Sequence, residues 1–449
     1  MRPEAFFALA ERLFAELGGA ESLFCHCRFE SSDFVRLNHN RIRQAGAVHS
    51  VTLGLNLIDG GLIDGGLSDG GRQAEASCDL SGDLDQDLAR ARHLLGRLRE
   101  RIGHLPPDPY LNLSLEPSAS ERWVGETLPD AQTALSNLID AAAGLDLVGI
   151  WASGEIGEGL ASSTGHRHWH GSRSFNLDWS CHLKADKAVK ASYSGLVWEP
   201  AVLTRKLDAV RRGLEVMGRP ARVIAPGRYR AYLAPAAVVE LMHMLAWDGF
   251  DLKSHRTRQT PLLKLVLGER AFDPRVTIRE EQDRGLTAGF TAAGFSVPDR
   301  VTLIDGGRFG QCLVDARDAK EFGVPVNSAE GTPRSVALAP GDIPSEEALA
   351  RLGDGLWIGN LWYCNWSDPN DCGVTGMTRF GTWWVEHGEI QAPVSVMRFD
   401  DSLYHLLGDR LEGLTGEREL LMDAGTYEGR STESALLPGV LVAGIDLTL

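Results

Sequence analysis

The sequence predicts an α+β protein: an N-terminal mixed sheet with helices, then a β-rich C-terminal part, barrel- or sandwich-like. Three observations lead there. Strand signals alternate with helical periodicities through residue 216. Beyond Pro261 many short strand signals lie between Gly and Pro turns, with only short helices among them. Between them, Met217 to Gly227 has the Gly, Pro and Arg content of a connecting segment. The expected domains are therefore 1–217 and 218–449.

Bulk properties exclude several classes. A chain of 449 residues favours two or more domains, and 43% hydrophobic with 24% charged residues is ordinary for a soluble protein. The net charge of −16 argues against nucleic acid, whose phosphates are gripped by Lys and Arg. No apolar run reaches membrane-spanning length. Seven cysteines without framework spacing suit a reducing compartment, so the expected location is cytoplasmic.

In chain order, residues 4 to 18 read as a helix with Phe6, Leu9, Leu13 and Leu17 on one side. Strand signals follow at 22–30, 34–40 and 48–58, an antiparallel meander. A five-residue Asp-Gly-Gly unit then repeats over 57–71. Calcium on Asp59, Asp64 and Asp69 is weighed against a hairpin tip, and the tip is preferred. Gly66-Leu-Ser-Asp-Gly70 has the letters of a nucleophile elbow but lacks its strand–turn–helix setting. Helices are expected at 82–102, 129–144 and 200–216, and strands at 145–152, 174–185 and 190–197.

His166, His168 and His170 alternate, so a strand would place all three on one face. They are weak metal candidates, since same-face neighbours stand several ångströms apart. The plainer reading is a strand face after a turn.

The segment 227–249 reads as a strand, a turn at Pro235 and an amphipathic helix over 235–247 that stops before Gly249. Val238, Leu241, Met242, Leu245 and Ala246 form its apolar side, and Glu240 and His243 share another face. A carboxylate and an imidazole so placed suggest zinc chemistry. One imidazole, however, is short of the three protein ligands a catalytic zinc takes. A basic loop with Lys253, His255, Arg256 and Arg258 follows, a candidate grip on an acidic group or a solvated loop.

Later strand candidates lie at 262–267, 275–279, 301–304, 311–314, 335–338, 355–364, 375–385, 388–396 and 440–447, with short helices at 345–351 and 403–411. Ser345 stands where it would cap the first of these. Cys364, Asp368, Asp371 and Cys372 form a further metal candidate, with loop thiols as the plainer reading. Trp357, Trp362, Tyr363, Trp366, Trp383 and Trp384 cluster densely, and Trp383, Trp384 and His255 are the candidates for contacting substrate.

Several motifs in order resemble the TldD/PmbA metallopeptidase family over nearly the whole chain. They are Asp33 to Gln44, the strand and helix at 227–249, Gly306 to Gly323, the Pro340-Gly turn, and Thr375 to Ile390. In that family the helix carries His-Glu-x-x-x-His; the two His and a later Cys hold zinc, and Glu is the base. Aligning Glu240 puts Val239 and Met244 at the ligand positions; aligning His243 puts Val238 and Val239 at the first His and the Glu. No Cys follows Cys372. The resemblance thus implies the zinc-lacking TldE/PmbA-like subunit, with no cofactor of its own and zinc in a TldD-type partner. The implied substrate is an unstructured or leader peptide, cleaved in proteolysis or peptide maturation. The competing expectations are a self-sufficient peptidase using Glu240, His243 and the histidines at 166–170, and a non-enzymatic peptide-binding scaffold.

Overall fold

In the computed structural model all residues are described except Met1, Gly61, Asp64, Gly65, Ser68–Gly70, Ala185, Asp186 and Glu428. Helix α1 (Pro3–Phe14) opens the chain, and strands β1 (Glu21–Asn38) and β2 (Arg41–Asp59) follow as one long hairpin. The sequence suggests separate short strands here. Without Gly or Pro in 21–38, the polar residues Ser31 to Asp33 stay within the ladder and the pairing runs on. His39 and Asn40, both with positive φ, form the two-residue turn that matches the twist of the strands. The short pair β3 (Leu62–Ile63) and β4 (Gly66–Leu67) comes next. Both the calcium reading at Asp64 and Asp69 and the elbow letters at 66–70 lie largely outside the described residues.

Strands β5 (Arg72–Asp79), β6 (Ala119–Val124), β7 (Asp146–Ser162), β8 (Arg167–Lys184) and β9 (Lys187–Gly195) complete a seven-stranded sheet. Its order is β5-β2-β1-β7-β8-β6, with β9 also on β8. Only β6 runs parallel to its neighbour, so the sheet is mixed. Helix α2 (Leu84–Ile102) starts at Asp83, whose carboxylate accepts from the amides of Asp85 and Gln86. With α1 it covers Cys25, Cys27, Phe29, Leu53 and Leu55 on one face. Helices α3 (Ala131–Ala141) and α4 (Pro200–Met217) pack over Trp151, Phe175, Leu177 and Trp179.

In the C-terminal half, β10 (Gly227–Leu233) pairs parallel with 355–368 and antiparallel with 434–447. The 355–368 strand pairs with 373–386, that one with 398–402, and 398–402 with 434–447. The pairings therefore return to β10 and close a barrel, the arrangement that leaves no edge among those strands. Helix α5 (Pro235–Ala246) inserts Ala237, Val238, Leu241, Met242 and Leu245 into the main core.

Three local expectations change. Residues 263–266 are helical where a strand is expected, and Gln311 to Val314 makes only a bridge from Leu313 to Asp251. A short apolar run has no period long enough to separate strand from helix. Ser345 does not cap: its amide and hydroxyl both donate to Glu417, which reaches it from a distant strand.

Candidate functional site

Alternation along four paired strands builds a polar face on the first sheet. Cys25, Cys27 and Phe29 turn toward the helices, so His26, Arg28 and Glu30 must share the opposite face. Register then adds a row at each step. Arg28 lies opposite Thr52 and Glu158, and Glu158 opposite His170; Glu30 lies opposite Ser50 and Ile156. Segments of the C-terminal half, around residues 290–292, 329–334 and 423–433, stand over this face. Between the two is a cavity of about 760 Å³.

At its floor Glu158 Oε2 accepts from His26 Nε2 at 2.9 Å, and its other oxygen lies 3.8 Å from the Arg334 guanidinium. Burial pushes this carboxyl up. The His26 hydrogen bond, with the charges of His26, Arg334 and His170, outweighs burial and holds it at about 2. His170, 1% exposed, donates from Nε2 to the Leu286 carbonyl at 2.6 Å. Nδ1 then carries the lone pair, and it has no partner among the described residues. Glu30 takes the Arg430 amide, and the Arg430 guanidinium is consumed by Ser32, Gly154 and Ser174. At the mouth, partial burial first, and then Glu330 and Asp423, raise the Glu433 carboxyl.

Helix α5 carries the two polar candidates Glu240 and His243. His243 is exposed and near enough to Glu433 to counter its upward shift. Glu240 is half-buried and its charge acts on Cys364. Glu240 and His243 share no metal-binding group among the described residues. Val238 and Met244 lie buried in the core, and Val239 packs partly against it. These side chains do not fit a zinc ion. Among the described residues no group of three or more His, Cys, Asp or Glu is placed to hold a metal.

The other candidates fall elsewhere. His166 and His168 form a hydrogen-bonded ladder with serines. His166 Nε2 donates to the Ser114 carbonyl, so Nδ1 accepts from Ser118; Ser118 in turn accepts from His168 Nε2, whose Nδ1 takes Ser120. All these ring nitrogens are engaged. Trp383 is buried beside α4, and Trp384 lies under Arg222 with Nε1 on Glu386; neither lines the cavity. His255 packs at a tilt on Phe309 and donates to the Gly249 carbonyl. Asp371 is taken by Lys264 at 2.7 Å, and burial raises Cys364 to about 12. Sequence reasoning did not single out His26, Glu158, Arg334 or Glu433. The one available signal was the polar beat His26, Arg28, Glu30 inside an apolar strand.

Residues 226–449 match the family described as the PmbA/TldA metallopeptidase C-terminal domain. Among solved structures the chain is similar to a protein of Thermotoga maritima described as a candidate modulator of a DNA gyrase. That match has 15% identity, covers 99% of this chain and 100% of the other, and has a TM-score of 0.74. It is likewise similar to TldE of Thermococcus kodakarensis (14% identity, 98% and 100% covered, TM-score 0.74). A Bacteroides thetaiotaomicron protein, also described as a candidate modulator of DNA gyrase, matches at 16% identity with 99% and 98% covered and a TM-score of 0.68. None of the curated proteins matches the chain.

Proposed function

The chain is a member of the TldD/PmbA metallopeptidase family, and from that premise we propose that it is the subunit that holds peptide while a TldD-type partner supplies zinc and the catalytic Glu. One observation carries the reading: on α5 the positions that would bind metal are Val and Met, two of them built into the core. Reverting such a face would need new ligands and a new core at once.

Support for peptide holding comes from β2. Its outer neighbour β5 pairs with Thr52 to Asp59 and Leu80 donates to the Val51 carbonyl, so, among the described residues, 41–50 offer an open strand edge. An extended peptide adds to such an edge through main-chain hydrogen bonds, which demand little of its sequence. The substrates in this reading are unstructured or leader peptides, which a narrow enclosure admits and folded proteins cannot enter. Two further parts belong to the proposal. The halves 1–217 and 218–449 are separate domains, which the two sheets support by drawing their strands from residues up to 195 and from 227 onward. The location is cytoplasmic, supported by an odd count of cysteines without framework spacing. No helix among the described residues is long and apolar enough to cross a membrane.

The test is metal analysis and peptidase assay of the purified chain, alone and after co-expression with a partner bearing the full His-Glu-x-x-x-His motif. The expected result is substoichiometric zinc and no turnover alone, with a stable complex and turnover together. Stoichiometric zinc with turnover by the lone chain would instead establish a self-sufficient peptidase. A chain that captures peptides but never such a partner would be a scaffold.

A further inference from the structure

The cavity between the sheets leaves groups of both signs without hydrogen-bond partners. The Arg334 guanidinium is only 21% exposed, yet it makes no hydrogen bond to a described residue; its contact to Glu158 at 3.8 Å is beyond hydrogen-bonding range. Arg28, opposite Glu158 on the sheet and exposed, pairs with no acid among the described residues. Facing them, the carboxylates of Glu330 and Glu433 accept no hydrogen bond from a described residue, and Asp423 accepts only the nearby amide of Gly425. The buried Nδ1 of His170 is a further acceptor with no donor. Arg28, Glu330, Asp423 and Glu433 are exposed, so water can serve them, but Arg334 is half-buried and His170 is buried. Shielded polar groups are normally satisfied, so an unmet donor at Arg334 and an unmet acceptor at His170 mark a site for something that brings both.

Charge narrows the ligand. Glu30, Glu158, Glu330, Asp423 and Glu433 line the cavity against Arg28, Arg334 and Arg430. A simple anion would meet this excess of carboxylates and be repelled. A simple cation would leave Arg334 unmet. A molecule with a carboxylate at one end and an ammonium at the other answers both sets through charge-assisted hydrogen bonds. The volume of about 760 Å³ is that of a site for a ligand larger than one amino acid.

We propose that this cavity binds short peptides with both termini free, the carboxylate on Arg334 and Arg28 and the ammonium on Glu330 and Glu433. This rests on the peptide-holding reading above and extends it: peptide bond hydrolysis makes new free termini, so the ligands are the class of molecule that reaction releases. The cavity is then a place where cut fragments dwell, distinct from the strand edge that receives intact chains.

The experiment is isothermal titration of the purified full chain with trialanine, N-acetyl-trialanine, trialanine amide and alanine. Trialanine should bind saturably, and capping either end should weaken it by about tenfold or more. Arg334→Met should lower affinity and erase the difference between acid and amide, while Arg334→Lys keeps part of it. Glu433→Gln should erase the difference between free and acetylated peptide. Circular dichroism confirms that each variant is folded. Absence of binding, equal binding of capped and free peptides, or unchanged selectivity in Arg334→Met would overturn the proposal. Alanine binding as tightly as trialanine would assign the site to amino acids and overturn it too. None of these readouts needs zinc, a partner or turnover, so failure here leaves the subunit reading standing.

Discussion

At the residue scale, His168 shows how a side chain can look like a ligand and serve as a joint. Its ring is buried, stacked on Phe290 at 4.9 Å, and tied to two serines. Burial, with His166 beside it, lowers its pKa from 6.5 to about 4. The sign follows from linkage. Above pH 6.5 the ring is neutral in both states and its contribution is complete. As pH falls from 6.5 toward 4, the unfolded chain gains a proton that the fold refuses, and stability is lost; below 4 the loss levels off. The loss should be on the order of 2 kcal/mol, read from urea unfolding at pH 7 and pH 4.5, and His168→Gln should flatten that slope. Arg430 is a second joint. Burial lowers its pKa to about 10 although Glu30 opposes this, and its guanidinium satisfies Ser32 and Ser174. Arg430→Met should cost about 2–4 kcal/mol in the same measurement, because it strands buried acceptors. A cost below 0.5 kcal/mol, on the order of surface substitutions, would show the network to be dispensable.

At the scale of elements, the pairing of β7 with β8 depends on glycines facing each other. Gly157 lies opposite Gly171. A Cβ on Gly171 would stand 2.3 Å from the Trp123 ring, and one on Gly157 2.1 Å from the His170 carbonyl. Trp123 therefore lies flat on the sheet only because position 171 is bare. Gly171→Ala should displace that ring and cost about 1–3 kcal/mol, visible as a lower Tm. Helix α2 makes a milder case. Asp83→Ala removes the acceptor for two terminal amides and should cost about 1 kcal/mol by denaturant unfolding.

For the whole molecule, bonds between the halves decide how it unfolds. Asn176 donates to the Asp423 carbonyl at 2.7 Å, Ser194 to the Leu420 carbonyl at 2.9 Å, and Arg122 to the Gln282 carbonyl at 2.8 Å. Phe290 closes over the first sheet with Phe24 and Leu160. Both halves should therefore lose structure in one transition. Far-ultraviolet dichroism and tryptophan fluorescence should give coincident denaturant curves; two separated midpoints would mean the halves are independent. The same contacts make the cavity, since one wall comes from each half.

Local pattern encodes what a short window of chain can hold. Period-3.6 apolar spacing gave α2, α4 and α5 to within two residues, with the Pro residues opening α4 and α5 as expected, whereas α1 ends at Phe14, four residues before the expected end. Ordered motifs gave the family. That Val239 and Met244 flank Glu240 on α5 was legible because all three belong to one short helix. Tertiary structure decided the rest. Closure of the C-terminal strands needs the parallel pairing of β10 with a strand more than a hundred residues later, which no local signal announces. The site at His26, Glu158 and Arg334 was equally hidden. Each residue alone is an ordinary polar position, and they meet only because strand register aligns the first two and a distant loop carries the third. Chemistry spread over remote segments has no period, so it becomes visible only when the chain has folded.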